Sequence, residues 1–327
     1  MAGEMTLSRL AKLANVSVSV ASKAFSGKEG VSEAMRQHVF SVAREHGCFG
    51  QFYNAPYERP VVAVIVPEID SRCYLKFIEE FKRAIDRNGY TMLLSISNFD
   101  PNMEQTLIKY HVDHGKVDAL ISVSSHTEFP AGSDTVMIHI GRRAAPNGVC
   151  IDPQLKFGLQ EAVDALVAGG HRRIAYVSEP LTLQKGETLN ACLAKHGLLL
   201  EERYFIHSPH RFWEAGRDGA AQLLALPEPP TAIFGAYGDV TQGILAQLRR
   251  QGVAVPQQIS VISMDHSPAE LDPRLDVAYV DGMIEEVCAL AMQEVELQLG
   301  GERAKTSKTV MIPTTFHAGE SIGPIAT

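Results

Sequence analysis

No stretch of the 327-residue chain reaches the ~18 consecutive apolar residues that a membrane-spanning helix needs. The opening residues, Met1 to Thr6, lack the basic-then-apolar pattern of a secretory signal, so a cytoplasmic location is expected. Five cysteines (Cys48, Cys73, Cys150, Cys192, Cys288) are dispersed with no C-x-x-C pair, which predicts reduced thiols rather than a zinc or redox centre. Enzyme signatures are missing too: no G-x-S-x-G, no P-loop, and no G-x-G-x-x-G after a strand. Where a nicotinamide enzyme needs that glycine turn, after VVAVIVP (61–67), Glu68-Ile69-Asp70-Ser71 stands instead. The pairs His111/His114 and His207/His210 have metal-ligand spacing but no third ligand beside them. Neither catalysis, nor a metal, nor a cofactor is expected.

What is present is an ordinary globular composition, 45% hydrophobic and 21% charged, long enough for about two domains. The net charge of −8 is unevenly spread. Residues 1–60 carry seven Lys/Arg against five Asp/Glu, and the remainder carries 23 against 33. Between Thr6 and Lys28 lie Arg9, Lys12, Lys23 and Lys28 with no acid, a small basic module suited to a nucleic acid.

Helical spacing organises the first 48 residues. Leu7, Leu10, Ala11 and Ala14 share one face behind a Thr6 N-cap. Ser17 can cap a second helix with Val20, Ala21, Ala24 and Phe25 inward. Ser32 can cap a third, carrying Met35, Val39, Val42 and Ala43 and ending at Gly47. Three short helices with a tight first turn fit a helix-turn-helix or a generic three-helix cap. Residues 49–60 (FGQFYNAPYERP) have no period and read as a linker.

From residue 61 onward strands and helices alternate. Expected strands are 61–67, 91–97, 119–123, 136–140, 173–178, 231–237 and 260–264. Expected helices are 74–88, 103–114, 155–168, 186–196, 215–226, 239–250 and 283–299. The fold class is therefore α/β, with parallel sheets covered on both faces. The two series of units predict two lobes, with a ligand between them where strand ends meet.

Several tags in order carry a family resemblance: Thr6-Leu7, Ala11 to Ser19, Gly30-Val31-Ser32-Glu33 with Arg36, Val66-Pro67, Val117 to Ile121, Gly170 to Ala175, Gly252 to Pro256, and Met264-Asp265. The chain resembles LacI/GalR-type transcriptional regulators along nearly its whole length. The resemblance implies a helix-turn-helix headpiece (1–48), a hinge (49–60) and a two-lobed core of periplasmic-binding-protein type (61–327). Lobe 1 is expected at about 61–151 and 281–310, and lobe 2 at about 152–280 and 311–327. It implies a homodimer on a near-palindromic double-stranded operator, acting as a repressor, with a small effector in the cleft.

By the same resemblance Val18, Ser19 and Lys23 face bases, while Thr6, Ser17, Ser22 and Ser26 suit phosphates. The hinge departs from the family pattern. Cys48, Gly50 and Gln51 replace its Tyr, Pro and Asn, and Ala55 stands in place of its Arg. Tyr57 takes the place of the minor-groove leucine, with Pro56 beside it. Either Tyr57 is a wedge, or 49–60 is only a tether and specific DNA binding is weakened.

On the ligand side the resemblance points to Tyr74, Arg142, Lys185, Phe212 or Trp213, Asp239 and Asp265. Asp239 can equally cap a helix. Pro101 to Gln105, Ser125-His126-Thr127 and Phe316 with Gly319 to Ile322 resemble the gluconate-repressor branch, which implies a sugar or sugar-acid effector. A purely ligand-binding protein shares this core but has no use for the N-terminal 47 residues.

Overall fold

The computed structural model describes residues 5–26, 30–52, 60–124, 128–142, 147–265, 275–300 and 307–325. The headpiece opens with α1 (Leu7–Leu13), whose N-cap Thr6 Oγ1 accepts the Arg9 N–H at 3.3 Å. Asn15, at φ 53°, reverses the chain in the left-handed region that asparagine tolerates. Ser17 Oγ accepts the Val20 N–H at 3.2 Å and starts α2 (Val18–Phe25). Ser32 Oγ does the same for Met35 at the head of α3 (Glu33–Glu45). The core between them is Leu10, Ala11, Ala14, Ala21, Ala24, Phe25, Val39, Phe40 and Ala43. Met35, expected on the inner face of α3, is exposed, and Phe40 takes the inner position.

The expected linker begins with structure. A one-turn helix, α4 (Phe49–Phe52), sets the Phe49 and Phe52 rings 6.0 and 5.8 Å from Phe25, and Phe49 meets Phe40 edge-on at 5.1 Å. Aromatic pairs at these distances add to the burial of their area. The headpiece therefore extends to Phe52, and Cys48 is buried within it. The rest of the hinge, with Ala55, Pro56 and Tyr57, lies outside the described residues, as do Lys28 and His126.

The first lobe is built on a parallel sheet. Its strands are β1 (Val61–Val66), β2 (Thr91–Ile96), β3 (Ala119–Val123), β4 (Val136–Ile140) and β5 (Val149–Gln154). Every β1 residue is buried, as an unbroken valine/isoleucine run between two helical layers requires. Helices α5 (Arg72–Arg87) and α6 (Pro101–Lys109) connect these strands. The helix expected over 103–114 starts at Pro101 and loosens into a π turn over Tyr110–Gly115.

The second lobe opens with α7 (Lys156–Ala168). It continues through β6 (Ile174–Ser178), α8 (Leu183–Ala194), β7 (Phe205–His207) and α9 (Phe212–Leu224). Then follow β8 (Ala232–Gly235), α10 (Gly238–Arg250), β9 (Ser260–Ser263) and β10 (Ala278–Asp281). The chain then returns, and α11 (Ile284–Leu299) packs on the first sheet through Val287, Ala291 and Val295. β11 (Lys308–Pro313) joins that sheet, and β12 (Thr315–His317) closes the second. The strand orders are β11-β5-β4-β3-β1-β2 and β12-β10-β9-β8-β6-β7, and among the described residues only the β10–β12 pair is antiparallel.

The chain thus crosses between lobes after Gln154, after Asp281 and at Thr314, so two crossings come slightly beyond the expected 151 and 310. Buried Thr314 ties two of them together: its Oγ1 donates to Gln154 O at 2.9 Å and accepts from the Gly158 N–H at 3.1 Å. Strands β5, β7, β10, β11 and β12 were not foreseen. β7 and β12 are only three residues long, and β11 buries little beyond Ile312, so they leave no periodic signal.

Two glycines set how the cleft wall is assembled. A Cβ on Gly216 of α9 would stand 1.9 Å from Val240 O, and one on Gly243 of α10 2.1 Å from Trp213 O. The two helices therefore touch backbone to backbone. Gly216→Ala is expected to force them apart, at about 1–3 kcal/mol. A thermal melt checks this, with Tm expected to fall by several degrees, about 2–4 °C per kcal/mol.

Candidate functional site

The C-terminal ends of both parallel sheets face each other, and a cavity of about 130 Å³ lies between them. Lobe 1 contributes Glu68 after β1, Ser71, Cys73 and Tyr74 at the start of α5, and Phe99 after β2. Lobe 2 contributes Glu179, Leu181, Thr182 and Lys185 after β6, Arg211 ahead of α9, Tyr237 after β8, and Asp265 after β9.

Arg211 joins the two sides. Its Nη1 and Nη2 donate to the two carboxylate oxygens of Glu68 at 2.8 and 3.0 Å, and its Nε donates to Glu179 Oε2 at 3.2 Å. The guanidinium lies 4.4 Å from the Phe212 ring centroid and 5.6 Å from that of Phe99, which fix its plane. The bond to Glu68 holds the Arg211 pKa above its ordinary value. Burial raises the Glu179 pKa against the opposing pull of Arg211. A second ion pair crosses the lobes nearby, Arg72 to Asp239 at 3.6 Å.

Other donors are arranged around the cavity. Lys185 Nζ donates to Ala236 O at 2.7 Å. Asp265 Oδ1 accepts the Gly238 N–H at 3.2 Å, and the Cys73 thiol donates to Asp265 from the other lobe. Ser71 is the N-cap of α5, yet its hydroxyl makes no capping bond. It is 4% exposed, and its Oγ has no hydrogen-bond partner among the described residues. A buried hydroxyl left in this state costs free energy until something bonds to it. Tyr74 and Phe99 meet edge-on at 5.9 Å and form an aromatic wall.

Of the ligand residues expected from sequence, the structure brings Tyr74, Lys185 and Asp265 together in the cavity. The other four are elsewhere. Arg142 is exposed, and its charge acts on Asp152. Phe212 supports Arg211 from behind and packs against Tyr237 at 6.2 Å, because its left-handed backbone (φ 55°) turns the ring away. Trp213 is 43% exposed under the Arg217 guanidinium. Asp239 is held by Arg72. Sequence reasoning missed Glu68, Ser71, Phe99, Glu179 and Arg211. The charges next to the expected aromatics, Arg211 before Phe212 and Glu68 after β1, were the available signal.

The DNA-side residues divide in the same way. Val18, Ser19, Ser22 and Lys23 are exposed along one face of α2, and Ser26 is half-buried at its end. Thr6 and Ser17 hydroxyls are engaged as N-caps, so they organise the helices. His111 is buried against Ser95 Oγ, and His210 lies 3.9 Å from Glu214 and Asp218. No group of three His, Cys, Asp or Glu able to hold a metal occurs among the described residues. No described helix is long and apolar enough to cross a membrane.

A helix-turn-helix headpiece ahead of a two-lobed parallel-sheet core defines a class of DNA-binding transcriptional regulators, and comparison with known proteins agrees. Residues 6–48 match the bacterial regulatory proteins of the lacI family, and residues 163–322 the periplasmic binding protein-like domain. The chain is 27% identical over 280 residues to the HTH-type transcriptional repressor CytR of Escherichia coli, covering 80% of each. It is 27% identical over 282 residues to the HTH-type transcriptional regulator GntR of Pseudomonas aeruginosa, covering 81% of each. The crystal structure of a LacI family transcriptional regulator from Silicibacter pomeroyi superimposes with a TM-score of 0.73 at 17% identity, covering 98% of this chain and all of that one. The chain is thus similar to LacI-family transcriptional regulators, in its headpiece and across most of its length.

Burial raises the thiol pKa of Cys48, Cys73, Cys192 and Cys288, and Asp265 beside Cys73 pushes it further up. Since thiolate is the reactive form, a disulfide reagent at pH 8 is expected to label the folded protein at less than one thiol per chain within minutes. All five thiols should react after unfolding in guanidinium.

Proposed function

We propose that the protein is a homodimeric, cytoplasmic repressor that reads a near-palindromic operator through α2. Its effector is a hydroxyl-rich small metabolite, a sugar or sugar acid, bound between the lobes. The observation that carries the ligand half is the buried, unpartnered hydroxyl of Ser71 in a cavity that also holds Tyr74, Lys185 and Asp265. Carboxylates accept from sugar hydroxyls, Lys185 donates to ring or acid oxygens, and aromatic rings pack on C–H faces. The chain is equally identical to CytR and to GntR, and neither likeness names an effector. The DNA half rests on the exposed Val18, Ser19, Ser22 and Lys23 on a properly capped α2. The complete headpiece favours this over a ligand-binding protein with weakened DNA contact, despite the unusual hinge.

Two-fold symmetry pairs two α2 helices with two half-sites, one turn of DNA or its multiples apart. An effector that favours one lobe angle moves the headpieces, with coupling of about 1–3 kcal/mol. The cavity is lined by Tyr74 from lobe 1 and by Lys185 and Asp265 from lobe 2, so a ligand touching all three senses the separation of the lobes.

Selection of bound fragments from the source genome, at stated near-physiological salt, is expected to return one palindrome. Lys23→Ala should weaken binding to it and flatten the salt dependence by about one counterion per protomer if Lys23 meets phosphate. Loss of affinity confined to one base position would instead assign it to a base. Replacing Lys185 by Met should leave operator affinity within about threefold and lower effector affinity by about tenfold or more, the order of a charged hydrogen bond. Unchanged effector affinity in a titration would remove Lys185 from the site.

A further inference from the structure

We propose that this cleft selects an effector carrying an oxyanion, a carboxylate or a phosphate, and that Arg211 is the residue that reads it. Glu68 occupies the Arg211 fork as a stand-in for that group. The proposal rests on the reading of the inter-lobe cavity as the effector site.

The geometry of the pair is that of ligand recognition. Two parallel N–H bonds of 2.8 and 3.0 Å from a guanidinium to both oxygens of one carboxylate are what an acid ligand receives from arginine. Here the carboxylate arrives from the opposite lobe. The acidic side chains also sit deeper than the cation. The Glu179 and Glu68 side chains are 1% and 8% exposed, and that of Arg211 is 32% exposed. Arg211 therefore presents the opening, with its charge fixed over two buried carboxylates.

Donors in the cavity remain unspent. A guanidinium has five N–H groups and an ammonium three. Three of the former bond to Glu68 and Glu179, and Lys185 Nζ donates to Ala236 O. Ser71 adds a buried hydroxyl with no partner among the described residues, at the N-terminus of α5. That 16-residue helix has no acidic residue in its first turn, so the positive end of its dipole is not answered by a carboxylate of that turn. Helix N-terminus, hydroxyl, ammonium and guanidinium line one cavity. An oxyanion satisfies all four kinds of donor.

An acid can take the Arg211 fork by exchanging with Glu68, which keeps the arginine paired and requires the displaced Glu68 carboxylate to turn to solvent or take up a proton. It then removes a bond that ties lobe 1 to lobe 2. A neutral polyol offers no charge for this exchange. The acid group therefore does two things at once: it is recognised, and it releases a link between the lobes.

The test is a calorimetric titration of the full-length protein with matched acid and neutral compounds: C4–C6 aldonates against the corresponding alditols, and hexose 6-phosphates against the free hexoses. At least one acid is expected to bind tenfold or more tightly than its neutral partner. Arg211→Lys, which keeps the charge and loses the fork, should reduce that preference at least tenfold. Glu68→Gln, which removes the competitor and keeps the shape, should tighten acid binding. Circular dichroism of both variants verifies the fold. The proposal is overturned if no acid binds either the native protein or Glu68→Gln, or if neutral and acid partners bind alike. It is also overturned if Arg211→Lys leaves the preference intact. Neutral binding that is lost in Asp265→Ala but indifferent to Arg211 would overturn the oxyanion reading and keep the cavity as the effector site. Binding indifferent to both residues would overturn the cavity reading as well.

Discussion

One guanidinium spans the gap between the two halves of the core. Arg211 belongs to lobe 2 and bonds both oxygens of Glu68 in lobe 1. Much of the surrounding structure bears on holding that bond in place. The close approach of α9 and α10 at Gly216 and Gly243 fixes the helix from which Arg211 projects. The Phe212 N–H donates to the Tyr237 hydroxyl at 3.2 Å and steadies the same turn. On the other side, Glu68 extends from the end of a fully buried strand. An interaction between groups so far apart in sequence depends on both lobes being correctly built.

Opposing charges in the cavity are mutually dependent. A half-buried arginine needs its carboxylates, and carboxylates this deeply buried need the arginine, because uncompensated burial of either is costly. The pairs are consequently structural as long as the cleft is empty of other charge. When a competing charge enters, the same pairs become the elements that can rearrange. Stability and response are thus carried by the same atoms.

The sequence made the layout legible where periodicity is strong. The valine run of β1 and the capped helices α1 to α3 announced themselves through spacing and through Thr6, Ser17 and Ser32. Short strands such as β7 and β12 did not, since three residues hold no period. Position in the site was less legible than fold. Tyr74, Lys185 and Asp265 lie in the cavity, while Phe212 and Trp213 yielded their place to their neighbour Arg211. One residue of backbone conformation, the positive φ of Phe212, decides which of three adjacent side chains faces inward. The Phe212 N–H bond to the Tyr237 hydroxyl joins that turn to a residue 25 positions away, which no local pattern encodes. Arg142 and Asp239 failed for a related reason: each found an opposite charge nearby, Asp152 or Arg72.

The docking of α4 on Phe25 and Phe40 changes the geometry of reading DNA. Because Phe49 and Phe52 are fastened to the headpiece, the length of chain available to join it to the core is counted from residue 53 rather than 49. Fully extended, residues 53–60 span at most about 28 Å, at ~3.5 Å per residue. Each headpiece is therefore on a shorter leash than the sequence suggests. A shorter leash narrows the range of half-site separations a dimer can straddle. It also couples the orientation of the headpiece more stiffly to the lobe beneath it.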